Sequence, residues 1–165
     1  MADRPVQLLL PALLDSWDRN NRILVNLLRA LAEADLEVRS ADGGHSVAEL
    51  FAHMHYVRLA FVSEDAPEFT APLPAEEWRA EPDRDRMAAM LNESAQAVRD
   101  AVQGTIESGG EMLVHFDHPI LLLQQMIWHE GYHHGQIKLA LKLAGRPMSN
   151  AVAGPLSWRV WMDKT

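Results

Sequence analysis

Two histidines one helical turn apart, His129 and His133, interrupt a long stretch of apolar periodicity in this chain. The stretch runs from about Pro119 to Ala144, and its apolar positions recur every three to four residues, which predicts a long amphipathic helix. Residues four apart lie on one face of a helix, so both imidazoles replace apolar residues on the face that points into the core. Buried imidazole nitrogens need polar partners, and a metal ion supplies one. The pattern therefore predicts a metal site on this helix.

Three further segments carry the same periodicity, so we expect an all-α protein, a four-helix bundle formed by a single domain that covers residues 1–165. The predicted helices are about Pro5–Ala34, with its apolar face starting at Val6, then Ser46 to about Phe61, about Asp83–Ser108 and about Pro119–Ala144. A proline-rich stretch, Glu64–Pro82, has no clear period and is expected to form a long loop between the second and third helices. Trp158 and Trp161 suggest a short closing helix.

Short local signals predict where these helices begin and end. Ser46 is followed by Glu49 at the spacing of a capping box, in which each side chain bonds the backbone N–H of the other residue. Pro119 suits the first helical turn after His118, and the glycine pair that begins at Gly109 is expected to stop the third helix. These signals place the helix boundaries independently of the apolar pattern.

The composition excludes several kinds of site and partner. The chain has no cysteine, so a metal must be bound by nitrogen and oxygen ligands, and a sulfur nucleophile must come from outside the protein. The formal net charge of -8 argues against binding to phosphate backbones or anionic lipids. No apolar run approaches the roughly 18 residues that cross a bilayer, and the first residues lack the regions of a signal peptide. We therefore expect a cytoplasmic protein with no nucleic-acid or membrane partner. The substrate that we expect for the site described below is a small molecule.

A third histidine, His53, lies on the core-facing stripe of the second helix, as His129 and His133 do on the fourth. Facing helices of a bundle bring such side chains together at one ion, which predicts a metal site formed by these three residues. Three imidazoles with one open position are typical of catalytic metal sites, where the ion activates a water molecule or binds a substrate sulfur or oxygen.

Other polar residues are weaker candidates for a role near this site. Asn20 and Asn21 interrupt the apolar face of the first helix and could contact a substrate or orient the ligands. The side chain of Glu130 is turned about 100° around the helix from that of His129, so a helix–helix salt bridge and a catalytic role both remain open for Glu130. His55 is expected to be exposed, because it lies on a different helical face from the core stripe. The histidines in or beside loops are expected to be solvated: His45, His115 and His118.

The segment His129-Glu130-Gly131-Tyr132-His133 also matches H-E-x-x-H, the zinc-protease signature, in which Glu130 would be the general base. The metzincin extension requires a histidine at the position of Leu139, and no glutamate follows Glu130 to act as the third ligand of the other major class. The sequence therefore disfavours a peptidase.

Two segments of the chain, Ser46-Val47-Ala48-Glu49-Leu50-Phe51-Ala52-His53 and His129-Glu130-Gly131-Tyr132-His133-His134-Gly135-Gln136-Ile137, resemble the motifs of the DinB/YfiT-like family. The resemblance extends over essentially the whole chain. It implies a four-helix bundle, commonly dimeric, in which three histidines bind a divalent metal ion, often zinc or nickel. Matched by position, the implied ligands are His53, His129 and His133. Many relatives carry arginine where this chain has His134, which leaves the role of His134 open.

The resemblance also implies a function. The same superfamily includes thiol-dependent S-transferases and isomerases that use bacillithiol or mycothiol, so we expect a homodimeric, metal-dependent enzyme that activates a low-molecular-weight thiol. The alternative is a metal-binding stress-response protein without turnover. A deep cleft lined by Asn20, Asn21 and the loop 64–82 would favour the enzyme, and a metal sealed by side chains would favour the alternative.

Overall fold

The computed structural model describes residues 9–164, and within this range the regular structure is helical apart from an isolated bridge between Arg39 and Ser46. The α-helices are α1 Leu9–Ala30, α2 Val47–Asp65, α3 Arg84–Ser108, α4 Pro119–Leu143, α5 Asn150–Leu156 and α6 Trp158–Met162, with short 3-10 helices at Glu33–Asp35 and Pro67–Phe69. The predicted all-α class is confirmed, and α1 to α4 are the four long helices. In the described part of the chain, no helix is both long and apolar enough to cross a bilayer.

The ends of α1 and α2 differ from the predicted helix ends, and the predicted start of the first helix lies outside the described residues. The predicted start at Pro5 and the apolar position Val6 fall outside the described residues. The helix α1 ends at Ala30, because a separate 3-10 helix, Glu33–Asp35, replaces the predicted last turn. Asp35 Oδ2 accepts the Ala32 N–H at 2.9 Å and so caps this new turn. The helix α2 extends to Asp65, so the loop to α3 begins at residue 66 rather than at residue 64.

The predicted helix caps are present. Ser46 Oγ accepts the Glu49 N–H at 3.2 Å and the Ser46 N–H donates to Glu49 Oε2 at 2.6 Å, which is the reciprocal capping box. His118 Nδ1 accepts the Ile120 N–H at 3.1 Å at the start of α4. Gly109 ends α3 with φ of 67°, a left-handed conformation that glycine adopts without a steric penalty.

The core of the bundle consists of two apolar clusters with polar side chains between them. One cluster includes Leu24, Leu28, Phe51, Met54, Leu91 and Ile137, and the other includes Trp17, Val62, Val98, Leu122 and Met126. Buried polar residues lie between the two sets along each helix: Asn20 and Asn21 on α1, Arg58 on α2, Ser94 on α3 and Glu130 on α4. The asparagines that interrupt the apolar face of α1 therefore belong to a polar layer inside the bundle.

Candidate metal centre

Three imidazoles converge between α2 and α4. His53 Nε2 lies 3.1 Å from His129 Nε2, and His133 Nε2 lies 3.0 Å from the same atom. Each ring offers one nitrogen within 4.8 Å of the nitrogens of the other two. His53 and His133 are only 8% and 7% exposed, and His129 is half-buried. The structure thus brings together the three histidines that the apolar stripes select, because α2 and α4 turn these stripes toward each other.

The outer nitrogens of two of these rings are hydrogen-bonded to oxygen atoms. His53 Nδ1 lies 2.7 Å from Glu77 Oε1, and His133 Nδ1 lies 2.7 Å from Gln136 Oε1. Because both oxygens accept, each Nδ1 donates its proton, which leaves a free lone pair on each Nε2. His129 Nε2 carries at most one proton and faces both of these lone pairs. A cation at the centre would satisfy all three nitrogens at once, so the residues fit a bound metal ion.

The spacing of the nitrogens also fits a metal ion. Zinc ligated by imidazole at about 2.0–2.1 Å in a tetrahedral site has neighbouring ligand nitrogens about 3.3 Å apart. The spacings around His129 Nε2, 3.1 and 3.0 Å, are close to that value. Three nitrogen ligands without a thiolate form the donor set of a catalytic zinc site, and imidazole also suits nickel.

Burial keeps the imidazoles neutral at physiological pH. It lowers the pKa of His53 to about 4, and the neighbouring imidazoles add to the shift. It lowers the pKa of His129 to about 4 in the same way. Burial also lowers the pKa of His133, although the hydrogen bond that its Nδ1 donates to Gln136 and the charge of Glu130 act in the opposite direction. Neutral imidazole is the form that binds a metal, so protons compete little with an ion near neutral pH.

The loop between α2 and α3, residues 66–83, covers the site with an aromatic ring. Trp78 stacks on His53 with the ring centroids 4.0 Å apart and the planes within 2° of parallel. Trp78 also stacks on His45, at 3.5 Å and 10°. His45 keeps 47% of its side chain exposed, so it is solvated as predicted but also packs against the ring that covers the site. The neighbouring Glu77 anchors the loop to His53.

Arg58 joins the candidate polar residues into a separate buried network. Its Nε and Nη2 lie 2.5 and 2.9 Å from the two carboxylate oxygens of Glu130, and its Nη1 lies 2.9 Å from Asn21 Oδ1. Asn20 Nδ2 donates to Glu130 Oε2 at 2.5 Å. The side chains of Arg58 and Glu130 are both 0% exposed. Glu130 therefore forms the helix–helix salt bridge that the sequence allowed, and its paired oxygens make it unsuited to be the general base of a zinc protease.

Reasoning from the sequence does not identify Arg58 or Trp78. A signal for Arg58 exists, because it lies four residues after Met54 and four before Val62, both of which are fully buried. An arginine at such a position is unusual, since arginine is seldom fully buried without a partner. Trp78 gives no comparable signal, because the loop that carries it has no periodicity.

His55 contradicts the prediction that it is exposed. It is 4% exposed, and its Nδ1 has no hydrogen-bond partner among the described residues. The prediction fails because α2 is covered on more than one side, by α3 and by the loop 66–83. Of the loop histidines, His115 is bonded through Nδ1 to Asp65 Oδ2 at 2.8 Å, and His118 caps α4.

The chain matches a known protein family. A sequence model described as the DinB family matches residues 4–155, which include all three converging histidines. No curated protein and no solved structure matches the chain.

Proposed function

This chain belongs to the DinB family, and on that basis we propose that it is a metal-dependent enzyme of the thiol S-transferase type. Its site is formed by His53, His129 and His133. The observation that supports the proposal is the convergence of three neutral imidazoles whose Nε2 atoms lie 3.0 and 3.1 Å apart around His129. An arrangement of this kind fits a divalent ion, zinc or nickel, and uses three of its coordination positions.

The residues around the ligands prepare the site for this role. A divalent ion held there would lower the pKa of a small thiol and so favour the reactive thiolate. The chain has no cysteine, so the sulfur comes from a cosubstrate. Glu77 and Gln136 hold the protons of their histidine partners on Nδ1, which turns the lone pair of each Nε2 toward the ion. Trp78 covers one face of His53 and excludes water from it.

A metal-binding protein without turnover is the second candidate, and the burial of the site favours it. His53 and His133 are 8% and 7% exposed, and Trp78 is stacked over His53. A site with so little access can hold an ion without admitting a substrate. Both candidates predict a bound metal, and they differ in whether the metal-loaded protein turns over.

Metal content tests the ligand assignment. The purified protein is expected to hold about one equivalent of zinc or nickel per chain by elemental analysis, and His129→Ala is expected to lose most of it. His134→Ala is the matched control, because His134 directly follows His133 in the chain but is not one of the three converging histidines. Full occupancy in His129→Ala would refute the assignment.

Turnover separates the two candidates. The metal-loaded protein is incubated with bacillithiol or mycothiol and a chlorodinitrobenzene, whose carbon forms a bond to sulfur as chloride leaves and the thiol proton passes to solvent. We expect a rate above background that is lost in His129→Ala and kept in His134→Ala. A protein that carries its full metal but shows no rate with either thiol would contradict the enzyme and support the second candidate.

A further inference from the structure

A cleft lies between α1, α4 and α6, on a different face of α4 from the three converging histidines. Its volume is about 340 Å³, within the range of small-molecule sites, and Glu130 and His134 line it from α4. Each of these two residues directly follows one of the converging histidines, so its side chain is turned about 100° from the metal site. We name this the tryptophan cleft, after Trp158 and Trp161 in its wall.

Most of the wall of the tryptophan cleft is apolar. Ile23 and Leu24 line it from α1, Ile127 lines it from α4, and Trp158 and Trp161 line it from α6. Each tryptophan keeps 43% of its surface exposed. Partly exposed indole rings in a concave wall offer apolar contact area to a flat ring, which would bury apolar area on both sides of the contact.

Lys138 provides the uncompensated charge of the cleft. Its Nζ lies 5.8 Å from the ring centroid of Trp158, and it forms no salt bridge with a carboxylate among residues 9–164. The carboxylate in the lining, Glu130, is already neutralised by Arg58 at 2.5 and 2.9 Å. The cleft is therefore locally cationic in a protein whose formal net charge is -8.

We propose that the tryptophan cleft binds a small aromatic anion, with a carboxylate or sulfonate group beside Lys138 and its ring against Trp158 and Trp161. The apolar walls and the partly exposed indole rings select for an aromatic body. The unpaired ammonium group selects for one negative charge. The proposal concerns a site separate from the three converging histidines and does not depend on the thiol-transferase activity.

Anilinonaphthalene sulfonate is a suitable probe, because energy transfer from tryptophan reports binding close to the indoles. We expect saturable binding at one site per chain. Benzoate should displace the probe, and benzyl alcohol, which has a ring of similar size without a charge, should displace it about fivefold less well, since the ion pair is lost. Equal displacement by the two competitors would refute the role of charge.

Gly131 is a position from which a new side chain can enter the cleft. Gly131 lines the cleft, and a Cβ placed there would meet no atom within 4 Å. We expect Gly131→Leu to weaken probe binding by about tenfold or more, because the leucine side chain takes the space of the ligand. Gly135→Leu is the matched control, since Gly135 lies one turn further along α4, has equally open space at Cβ and does not line the cleft. Both variants are expected to keep their metal content.

Lys138 allows the charge to be tested in the same way. Lys138→Glu should weaken binding of the probe by about tenfold or more, because repulsion replaces attraction. Lys142→Glu makes the same charge change one turn away at an exposed position outside the cleft and should alter binding by less than about twofold.

Besides equal displacement by the two competitors, three results would overturn the proposal. The first is equal binding in Gly131→Leu and Gly135→Leu, and the second is equal binding in Lys138→Glu and Lys142→Glu. The third concerns a different occupant of the cleft. If the wild type sediments as a dimer and Gly131→Leu as a monomer, a second copy of the chain fills the cleft and the ligand site does not exist.

Discussion

Glu130→Leu is expected to destabilise the protein by about 3–5 kcal/mol, because it leaves the charge of Arg58 buried without a counter-ion. Both side chains are 0% exposed in the salt bridge, so water does not replace the lost carboxylate. Arg58 would keep its bonds to Asn21 Oδ1 at 2.9 Å and Leu91 O at 2.7 Å, but both acceptors are neutral. For 165 residues the entropy of unfolding is about 0.35 kcal/mol per kelvin, so the melting temperature should fall by about 9–14 °C.

The double variant tests whether this cost comes from an unpaired charge. Arg58→Met alone strands the carboxylate of Glu130 and should also cost about 3–5 kcal/mol. In Arg58→Met/Glu130→Leu no buried charge remains, and the loss is limited to the hydrogen bonds of Arg58 to Asn21, Leu91 and Ser94 and the hydrogen bond of Asn20 to Glu130. At about 1 kcal/mol each, these four bonds predict a total of about 4 kcal/mol, below the roughly 6–10 kcal/mol of the two single variants added together.

Urea unfolding of the metal-free protein, followed by circular dichroism, measures these free energies. The control is the surface pair of Arg99 and Asp18, 2.7 Å apart with side chains 28% and 47% exposed. Arg99→Met and Asp18→Leu should each change stability by less than about 1 kcal/mol and should be additive. If Glu130→Leu does not fold, Glu130→Gln removes the charge and keeps the shape. A cost of less than about 1 kcal/mol for the Glu130 variant, or additivity in the double variant, would refute the reasoning.

Three further substitutions test the ligand support and the scaffold. Glu77→Gln should weaken metal binding by about 10–100-fold in a chelator competition, because the ring it orients loses a charged acceptor, whereas Glu76→Gln, at an exposed position, should leave the affinity nearly unchanged. Burial alone would raise the pKa of Asp65, but the backbone N–H groups of Val114 and His115 and the His115 imidazole lower this pKa below its ordinary value of 3.8. The ionised Asp65 carboxylate therefore stabilises the folded protein above pH 3.8, and this stabilisation is lost as the pH falls further. The urea midpoint of Asp65→Asn should therefore lie below that of the wild type at neutral pH and approach it in acid, and a constant difference would contradict the assignment. Asp83→Ala should cost about 1 kcal/mol in urea unfolding, since it removes the side chain that caps α3, and an equal cost for Asp100→Ala in the exposed middle of that helix would argue against a capping effect.

The helix ends that can be predicted from the sequence are those set by local chemistry. The capping box of Ser46 and Glu49 depends on residues three apart, so it forms wherever the helix goes. The end of α1 is predicted four residues late, at Ala34 instead of Ala30. Nothing in the composition of that segment opposes a helix, and it is the bond from the Ala32 N–H to Asp35 that starts a separate turn.

The three histidines can be predicted to face inward because each replaces an apolar residue at helical spacing. That His53 meets His129 is decided by the packing of α2 against α4, because periodicity shows only that both apolar faces turn toward the core. The residues that orient the His53 ring cannot be predicted from the sequence in the same way. Glu77 and Trp78 come from a loop without periodicity, and their contacts with His53 depend on how the loop crosses the bundle.

The amino-acid sequence by itself determined the helical class, the caps and a donor set of imidazoles without thiolates. Only the tertiary structure decided that Arg58 pairs with Glu130, 72 residues away, that Trp78 stacks on His53 of the three converging histidines, and that Lys138 lies beside two exposed indoles in the tryptophan cleft. The physical reason is that periodicity reports which face of a helix turns inward. It does not report which side chain from another element will meet that face across the core.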